Sequence, residues 1–428
     1  MSERSGQIPD LRAGHVPDRA KRLDWRLDAL NFLLADVRGG LGPYVGVFLI
    51  TRAGWEQSTL GTVLTVSGLI GIALHAPIGA LIDTTRAKLG LLAIGVILLA
   101  LASIAIVTYP TLPVVFAADV GMAVLGAVFA PIVAALTMGL VSRAALARRF
   151  GRNAAFDKLG NVFIAGLAAA VGSVWGQEAV FWLVPALAVP ALAATLAIPV
   201  SVIDHQRARG LDLHGEAPRS GGQPGQALGN PPTGKLLAAP FLVLAGLAAT
   251  FHFVNAPVLN MVAQKLALSH SGQESALTAA AVVIGQMPTV PAALLLARAE
   301  TAGRTLFLAL ALGALPLRCL LFAATDAAPL LLAGQMLDGF GGGLFDALLP
   351  LLLADCVRGS GRYTFARGVL GTVQGVGGSL SNVVSGMLVS SNGYNATFLV
   401  LGVLGFLVLI GGMFAWKRTG IVNVSRPY

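Results

Sequence analysis

The chain has 428 residues, of which 56% are hydrophobic and 11% charged, with a mean hydropathy of +0.78 and a formal net charge of +9. A soluble domain could not bury this much apolar surface in one core, so the composition predicts an integral membrane protein. The positive charge could suggest nucleic acid as a partner, but the basic residues lie at the ends of hydrophobic runs along the whole chain, which indicates membrane topology instead. Cys319 and Cys356 lie within apolar segments, which argues against a disulfide framework and a zinc site.

Twelve runs are apolar and long enough to cross about 30 Å of hydrocarbon as helices. They lie near residues 29–50, 58–82, 88–109, 112–141, 154–175, 178–203, 237–264, 274–297, 302–324, 327–356, 363–390 and 393–416. The runs lack the two-residue alternation of outer-membrane barrel strands, so helices are the way to satisfy the backbone hydrogen bonds in lipid.

Polar sequence flanks and divides these runs. Residues 1–28 form a polar tail without a signal peptide, and residues 417–428 form a second tail. Residues 204–236 are rich in Gly, Pro and charge, which predicts a flexible linker between a six-helix bundle at 29–203 and another at 237–416.

The basic residues are distributed unequally between the two sides of the membrane. Of 29 Lys and Arg, 24 fall on the side of the termini, whereas the opposite loops hold only Arg52 and Lys265. The positive-inside rule therefore predicts an inner-membrane protein with both termini in the cytoplasm.

Two aspartates occupy matching places in the two halves. Asp119 lies twelve residues before Pro131 and Asp338 lies twelve residues before Pro350, at an offset of 219. A charge inside an apolar helix costs at least about 2.5 kcal/mol, so each aspartate must face protein or a watery cavity. Internal duplication within a membrane protein indicates a transporter.

The loop between the second and third runs carries the most specific local motif. It contains Gly79, Leu81, Asp83, Arg86 and Lys88, which resembles the G-x-L-x-D and basic-cluster motif of the major facilitator superfamily. The resemblance covers nearly all residues after about 28. It implies an all-α membrane protein with twelve transmembrane helices in two pseudo-symmetric six-helix bundles.

The resemblance also implies a conformational latch at Gly79, Asp83, Arg86 and Lys88. In the family the aspartate contacts the start of a helix in the other half, where a carboxylate is favoured by the helix dipole. The second copy of the loop has Ala297 at the position of the aspartate, so only the first copy is predicted to act as a latch.

Several polar residues inside the apolar runs are candidates for the transport chemistry. The candidates for proton coupling or substrate binding are Asp36, Arg38, Asp119, His252, Asn255, Asp338 and Asp346. Asp36 could be a proton site and Arg38 could contact an anion. Alternatively, both residues could form fixed ion pairs between helices. For Asp119 and Asp338 the alternative is a structural hydrogen bond to a neighbouring helix.

Two other groups of charged residues also need an explanation. Apart from Arg304 at its start, Arg318 is the only charge in the ninth run, and it could bind an anion or extend toward the membrane surface. Asp157 and Lys158, next to Arg148, Arg149 and Arg152, predict a salt-bridge cluster that locks one conformation.

We therefore predict a secondary active transporter that moves a small organic solute across the inner membrane by alternating access, with protons as the driving ion. The alternatives are an exporter of amphipathic drugs or metabolites, or a non-transporting membrane sensor or scaffold with the same fold. No G-x-x-x-x-G-K-[ST] motif occurs, and no nucleophile or ligand cluster suggests an enzyme. The expected partners are the solute, protons and the bilayer, with no cofactor, metal or nucleic acid, and the chain is expected to act as a monomer.

Overall fold

The computed structural model describes residues 16–35, 42–141, 145–206, 208, 239–295, 303–357 and 363–419. The regular structure within these ranges is helical. The helices are α1 Val16–Leu33, α2 Gly42–Thr51, α3 Gln57–Thr84, α4 Lys88–Thr108, α5 Leu112–Leu140, α6 Leu146–Trp175, α7 Gln177–Phe181, α8 Leu183–Leu196, α9 Ala239–Asn255, α10 Val258–Ser269, α11 Glu274–Gln286, α12 Thr289–Leu295, α13 Arg304–Ala324, α14 Ala328–Cys356 and α15 Tyr363–Arg418.

Ten helical segments of the described part are long and apolar enough to cross a membrane. The longest, Phe365–Arg418, has 54 residues, which is roughly 80 Å of helix at 1.5 Å per residue. Its backbone leaves the helical region at Gly393, where φ is 79° and ψ is 175°. A positive φ favours glycine, so this residue divides α15 into two spans at the boundary that the sequence predicts.

Proline explains where two further spans are interrupted. Pro257 lies between α9 and α10, and Pro288 lies between α11 and α12. Proline lacks the backbone N–H that an uninterrupted helix needs and its ring clashes with the preceding turn. The break after α9 leaves Asn255 at the end of a helix in the middle of the span Ala239–Ser269.

The first helix begins earlier than the sequence predicts. The sequence predicts the first apolar run at 29–50, yet α1 already begins at Val16. Residues 36–41, between α1 and α2, lie outside the described residues. The extra turns contain Asp24 and Asp28, whose carboxylates bind Arg149 at the start of α6. A polar segment becomes helical here because it has charged partners on a neighbouring helix.

The buried apolar side chains form two large clusters. One is made by residues between Leu27 and Ile203 and the other by residues between Phe241 and Trp416. The outer faces of the helices carry exposed large apolar side chains, such as Ile94 on α4, as expected for contact with lipid. The exact boundaries of the two predicted bundles stay a prediction.

The two halves touch closely at one end of the molecule. We call this end the far side, where α2 ends and α3 begins, and the opposite end the linker side, where α8 ends and α9 begins. On the far side Gln57 Nε2 donates to Gln264 Oε1 at 3.0 Å, and Thr65 Oγ1 donates to the backbone oxygen of Ser379 at 2.7 Å. A Cβ atom added at Gly61 would lie 2.2 Å from the backbone oxygen of Asn382. The far side is therefore closed by direct contact of α3 with α15.

A second far-side contact holds the end of α13 within the C-terminal half. Lys265 Nζ donates to the backbone oxygen of Thr325 at 2.8 Å and lies 2.7 Å from Asp326 Oδ1. The hydrogen bonds from Lys265 and Asn395 hold the pKa of Asp326, which lies outside the spans, below its usual value.

This contact predicts a dependence of stability on acid pH. A depressed folded-state pKa contributes stability that is present above the unfolded value, about 3.9, and is lost as the pH falls through the folded value. We expect the protein to melt at a higher temperature than Asp326→Asn at pH 7. The difference in melting temperature should begin to shrink below about pH 4 and disappear only once the pH has fallen below the folded-state pKa. A difference in melting temperature that stays constant from pH 7 to pH 3 would contradict this origin.

Candidate functional site

The centre of the C-terminal half contains a buried ion pair. Arg318 on α13 forms an ion pair with Asp338 on α14, and Arg318 Nη2 donates to Asn255 Oδ1 on α9 at 2.7 Å. The Arg318 side chain is 1% exposed and that of Asp338 is 21% exposed. Arg318 therefore does not extend to the membrane surface, and two of the predicted site residues, Asp338 and Asn255, meet at its guanidinium.

Glycines on α14 allow the neighbouring helices to approach this pair. A Cβ atom added at Gly339 would lie 2.0 Å from the backbone oxygen of Gly285 on α11, and one at Gly341 would lie 2.8 Å from the Ala314 Cβ on α13. Real Cβ atoms do not make such short contacts, so only glycine fits at these crossings. Gly339 and Gly341 therefore serve close packing around Asp338.

The matching aspartate of the N-terminal half has different surroundings. Asp119 on α5 is partly buried, and the Ser67 hydroxyl on α3 donates a hydrogen bond to its carboxylate. The same hydroxyl lies 2.8 Å from the backbone oxygen of Val63, so its single proton can serve either acceptor. Within the described ranges no ion pair involves Asp119. The two aspartates share their place along the chain but not their electrostatic environment.

A second polar group of the C-terminal half lies closer to the linker side. His252 Nε2 on α9 lies 3.3 Å from Gln374 Nε2 on α15 and 3.9 Å from Asp346 Oδ1 on α14. The Asp346 side chain is 67% exposed although it lies in the middle of a span. Lys158 of the N-terminal half interacts electrostatically with Asp346, so this exposure belongs to a cleft between the halves.

The other predicted site residues have separate locations. Asp36 and Arg38 lie outside the described residues. Two polar residues of α10, Asn260 and Gln264, line a far-side pocket between the halves together with Gln57.

The predicted latch is described only in part. Gly79 lies near the end of α3 and Arg86 is exposed, whereas the side chain of Asp83 lies outside the described part. Lys88 is 1% exposed, and its Nζ donates to the backbone oxygens of Ile82 at 2.5 Å and Thr85 at 2.9 Å. Lys88 therefore satisfies carbonyl groups at the end of α3 in its own half. The latch itself stays a prediction.

A buried cluster on the linker side was only partly foreseen from the sequence. Arg149 and Arg152 of α6, expected near Asp157 and Lys158, both bind Asp28 of α1: Arg149 Nη2 lies 2.6 Å from Asp28 Oδ1 and Arg152 Nη2 lies 2.5 Å from Asp28 Oδ2. Lys158 Nζ instead donates to Gln286 Oε1 in the other half at 3.0 Å. The signal available in the sequence was a pair of acidic residues, Asp24 and Asp28, on one helical face.

Comparison with known proteins identifies the family. The family model for the Major Facilitator Superfamily matches residues 27–298 and 241–422. Two uncharacterized MFS-type transporters of Mycobacterium tuberculosis, from strains CDC 1551 / Oshkosh and H37Rv, are each 36% identical to this chain over 418 residues, which is 96% of the chain and 97% of each relative.

Solved structures show the same fold at low sequence identity. A mutant of the nucleoside transporter NupG matches with a TM-score of 0.75 at 15% identity, covering 92% of this chain and 100% of that one. A bacterial homolog of the human lysosomal transporter Spinster matches with a TM-score of 0.68 at 13% identity, covering 96% of this chain and 98% of that one. The predicted all-helical membrane fold is thereby confirmed. This chain belongs to the major facilitator superfamily, a family of membrane transporters and not of enzymes.

Proposed function

We propose that this transporter moves a small organic solute across the inner membrane by alternating access and that protons drive the movement. The observation that carries the proposal is the cluster of Arg318, Asp338 and Asn255 inside the C-terminal half. Charged groups within a membrane span are costly and are placed where ions or substrates pass. Asp338 remains partly exposed, so a proton or a polar solute can reach it.

The arrangement of the two halves supports access from one side at a time. The far side is closed by the contact of α3 with α15, whereas Asp346 and Lys158 are exposed in a cleft below it. We propose that this cleft opens to the cytoplasm, because 24 of 29 Lys and Arg lie on the linker side in the predicted topology. Both termini are then cytoplasmic, and rocking of the halves would open the far side.

The two matching aspartates have different proposed roles. Protonation of Asp119 would remove a negative charge that has a hydroxyl, not a cation, as its observed neighbour. Protonation of Asp338 would instead release the guanidinium of Arg318, which could then accept an anionic group of the solute. A small polar or anionic solute fits this arrangement. Asp36 and Arg38 stay in the proposed site on sequence grounds.

The latch of Gly79, Asp83, Arg86 and Lys88 is proposed to help hold the linker side in the alternative conformation. Its support is the family motif in the sequence and the buried contact of Lys88 with the end of α3, which fixes the turn that carries Asp83. We further propose that the chain works as a monomer.

The test uses purified protein in proteoliposomes with an imposed pH gradient. Accumulation of radiolabelled nucleosides, monosaccharides, amino acids and monocarboxylates is compared among the unaltered protein, Asp119→Asn and Asp338→Asn. Asp326→Asn is the matched control, since it makes the same chemical change on the far-side surface. We expect gradient-driven accumulation of one solute class with the unaltered protein and the control, and its loss in the two span variants.

Two results would contradict the proposal. Equal gradient-driven accumulation in all four proteins would exclude a role of Asp119 and Asp338 in coupling. A folded protein that accumulates none of the solutes under any gradient would favour the alternative of a sensor or scaffold.

A further inference from the structure

We propose that His252 is the residue whose protonation is linked to movement of α15. In the neutral state His252 ties α9 to α15 through Gln374, and in the protonated state it leaves Gln374 and pairs with Asp346 on α14. This inference rests on the proposed proton coupling and names the group that carries it out.

The hydrogen bonds around His252 determine its protonation state in this conformation. His252 Nδ1 lies 2.9 Å from the backbone oxygen of Ala248, and a carbonyl can only accept, so Nδ1 carries a proton. Arg367 Nη1 donates to Gln374 Oε1 at 3.2 Å. Because arginine only donates, the amide oxygen of Gln374 faces Arg367 and its NH₂ group faces His252 at 3.3 Å. His252 Nε2 must then accept, and the imidazole is neutral.

Protonation is incompatible with this arrangement. A protonated Nε2 would place an N–H group against the NH₂ group of Gln374, and the two donors would repel each other. Rotation of the Gln374 amide does not solve the conflict, because it would turn the NH₂ group toward the guanidinium of Arg367. The acceptor that remains is Asp346, whose Oδ1 already lies 3.9 Å from His252 Nε2.

The charges around this group favour such an exchange. Asp346 interacts with His252, Arg367 and Lys158, and more weakly with Asp338 on the same helix. Asp338 is itself bound to Arg318, so Asp346 is the carboxylate that is available to an imidazolium. The His252 side chain is 27% exposed and that of Asp346 is 67% exposed, so water in the cleft can deliver the proton.

The position of Gln374 connects this exchange to the contact between the halves. A Cβ atom added at Gly375 would lie 2.8 Å from Ile72 Cδ1 on α3, and one at Gly377 would lie 2.3 Å from the backbone oxygen of Ala249 on α9. Here α15 is held tightly between α9 of its own half and α3 of the other half. Loss of the hydrogen bond between His252 and Gln374 therefore affects the contact of α3 with α15, which closes the far side.

The direction of the effect follows from linkage. The conformation described here contains the bond that requires neutral His252, so protonation favours any conformation that lacks this bond. Acidification should therefore increase the population in which α3 and α15 separate on the far side.

The experiment measures the far-side distance by pulsed electron resonance in nanodiscs, without any solute. Spin labels are attached through Tyr109→Cys and Asn392→Cys, two exposed far-side positions in different halves, in a Cys356→Ser background in which Cys319 is buried. Between pH 7.5 and pH 5.5, the range in which histidine titrates, the long-distance population should rise, by at most about tenfold per pH unit for one linked proton.

Three variants make the result specific. His252→Gln should abolish the pH response, and Gln374→Ala should already show the long distance at pH 7.5, because it removes the bond that only neutral His252 makes. His75→Gln, an exposed histidine on α3, is the matched control and should respond as the unaltered protein does.

A normal pH response in His252→Gln, or no response in the unaltered protein, would overturn the inference. Suppose that His252→Gln loses the pH response of the far-side distance, but that a pH gradient drives no solute accumulation in the unaltered protein. The proposed proton coupling then fails, whereas the role of His252 in the movement of α15 stands. If gradient-driven accumulation survives in His252→Gln, the coupling stands and the inference falls.

Discussion

Replacing Asp338 with alanine should lower the free energy of unfolding by about 3–5 kcal/mol, because it leaves a buried guanidinium without its counter-charge. Arg318 is 1% exposed, and its other observed partner is the neutral amide of Asn255. Because Arg318 is almost fully buried, water can replace the lost carboxylate only in part. The measurement is thermal and denaturant-induced unfolding in detergent, followed by intrinsic tryptophan fluorescence.

A paired variant separates the cost of an uncompensated charge from the loss of the carboxylate itself. Asp338→Asn with Arg318→Gln removes both charges, and we expect most of the stability to return, since replacing a whole buried pair is often close to neutral. Asp355→Ala is a control in the same half, where Arg304 is 30% exposed and solvent screens the lost pair. A paired variant as unstable as Asp338→Ala would show that the ion pair is not the source of the effect.

The paired variant also decides what loss of transport means. If Asp338→Asn alone fails to accumulate solute, unfolding and loss of coupling are both sufficient explanations. A folded paired variant that no longer couples solute movement to the pH gradient would assign the chemistry to the pair. Restored gradient-driven accumulation would limit the role of the pair to stability.

The sequence predicts the membrane spans well because their signal is local. A run of apolar residues must be a helix in lipid, and its length and flanking charges can be counted directly. The division of α15 at Gly393 follows equally well, since it lies between two apolar runs. The number of spans and the internal offset are consistent with the family fold that the motif of Gly79, Leu81 and Asp83 implies.

The surroundings of the site residues are not a local property. Arg318 and Asn255 are 63 residues apart in sequence, and helical periodicity does not say which of the neighbouring helices each side chain meets. The interpretation of Arg318 as a residue near the membrane surface was therefore open until the packing of α9, α13 and α14 was known. The bond between His252 and Gln374 spans 122 residues and was not predicted for the same reason.

The internal repeat predicts position but not environment. Asp119 and Asp338 lie at equivalent places, which suggests equal roles, yet Asp338 has an arginine partner and Asp119 has a serine hydroxyl. The offset of 219 aligns Arg318 with Leu99, which is apolar. The sequence therefore already shows that the N-terminal half has no arginine at the position that matches Arg318. The two halves share the aspartates but differ in the residues that surround them.

Replacing Asp28 with alanine should have the second large effect, again about 3–5 kcal/mol of lost stability, because Arg149 is left buried without its carboxylate. Arg149 is 3% exposed and Asp28 is 7% exposed, and their side chains lie 2.6 Å apart. The neighbouring Arg152 is 44% exposed, so solvent screens it and it adds little to the expected loss.

The control for this prediction lies one turn away on the same helix. Asp24 also contacts Arg149, at 3.2 Å, but its side chain is 40% exposed, so Asp24→Ala should cost at most about 1 kcal/mol. Hydrogen exchange should show that Asp28→Ala opens α1 before the rest of the N-terminal half, because α1 is polar and depends on this cluster for its place against α6. The prediction is contradicted if Asp24→Ala and Asp28→Ala have equal free energies of unfolding and α1 stays protected from hydrogen exchange in both. Apolar contacts such as those of Leu27 and Leu30 would then hold the helix, and Arg149 would have found another partner.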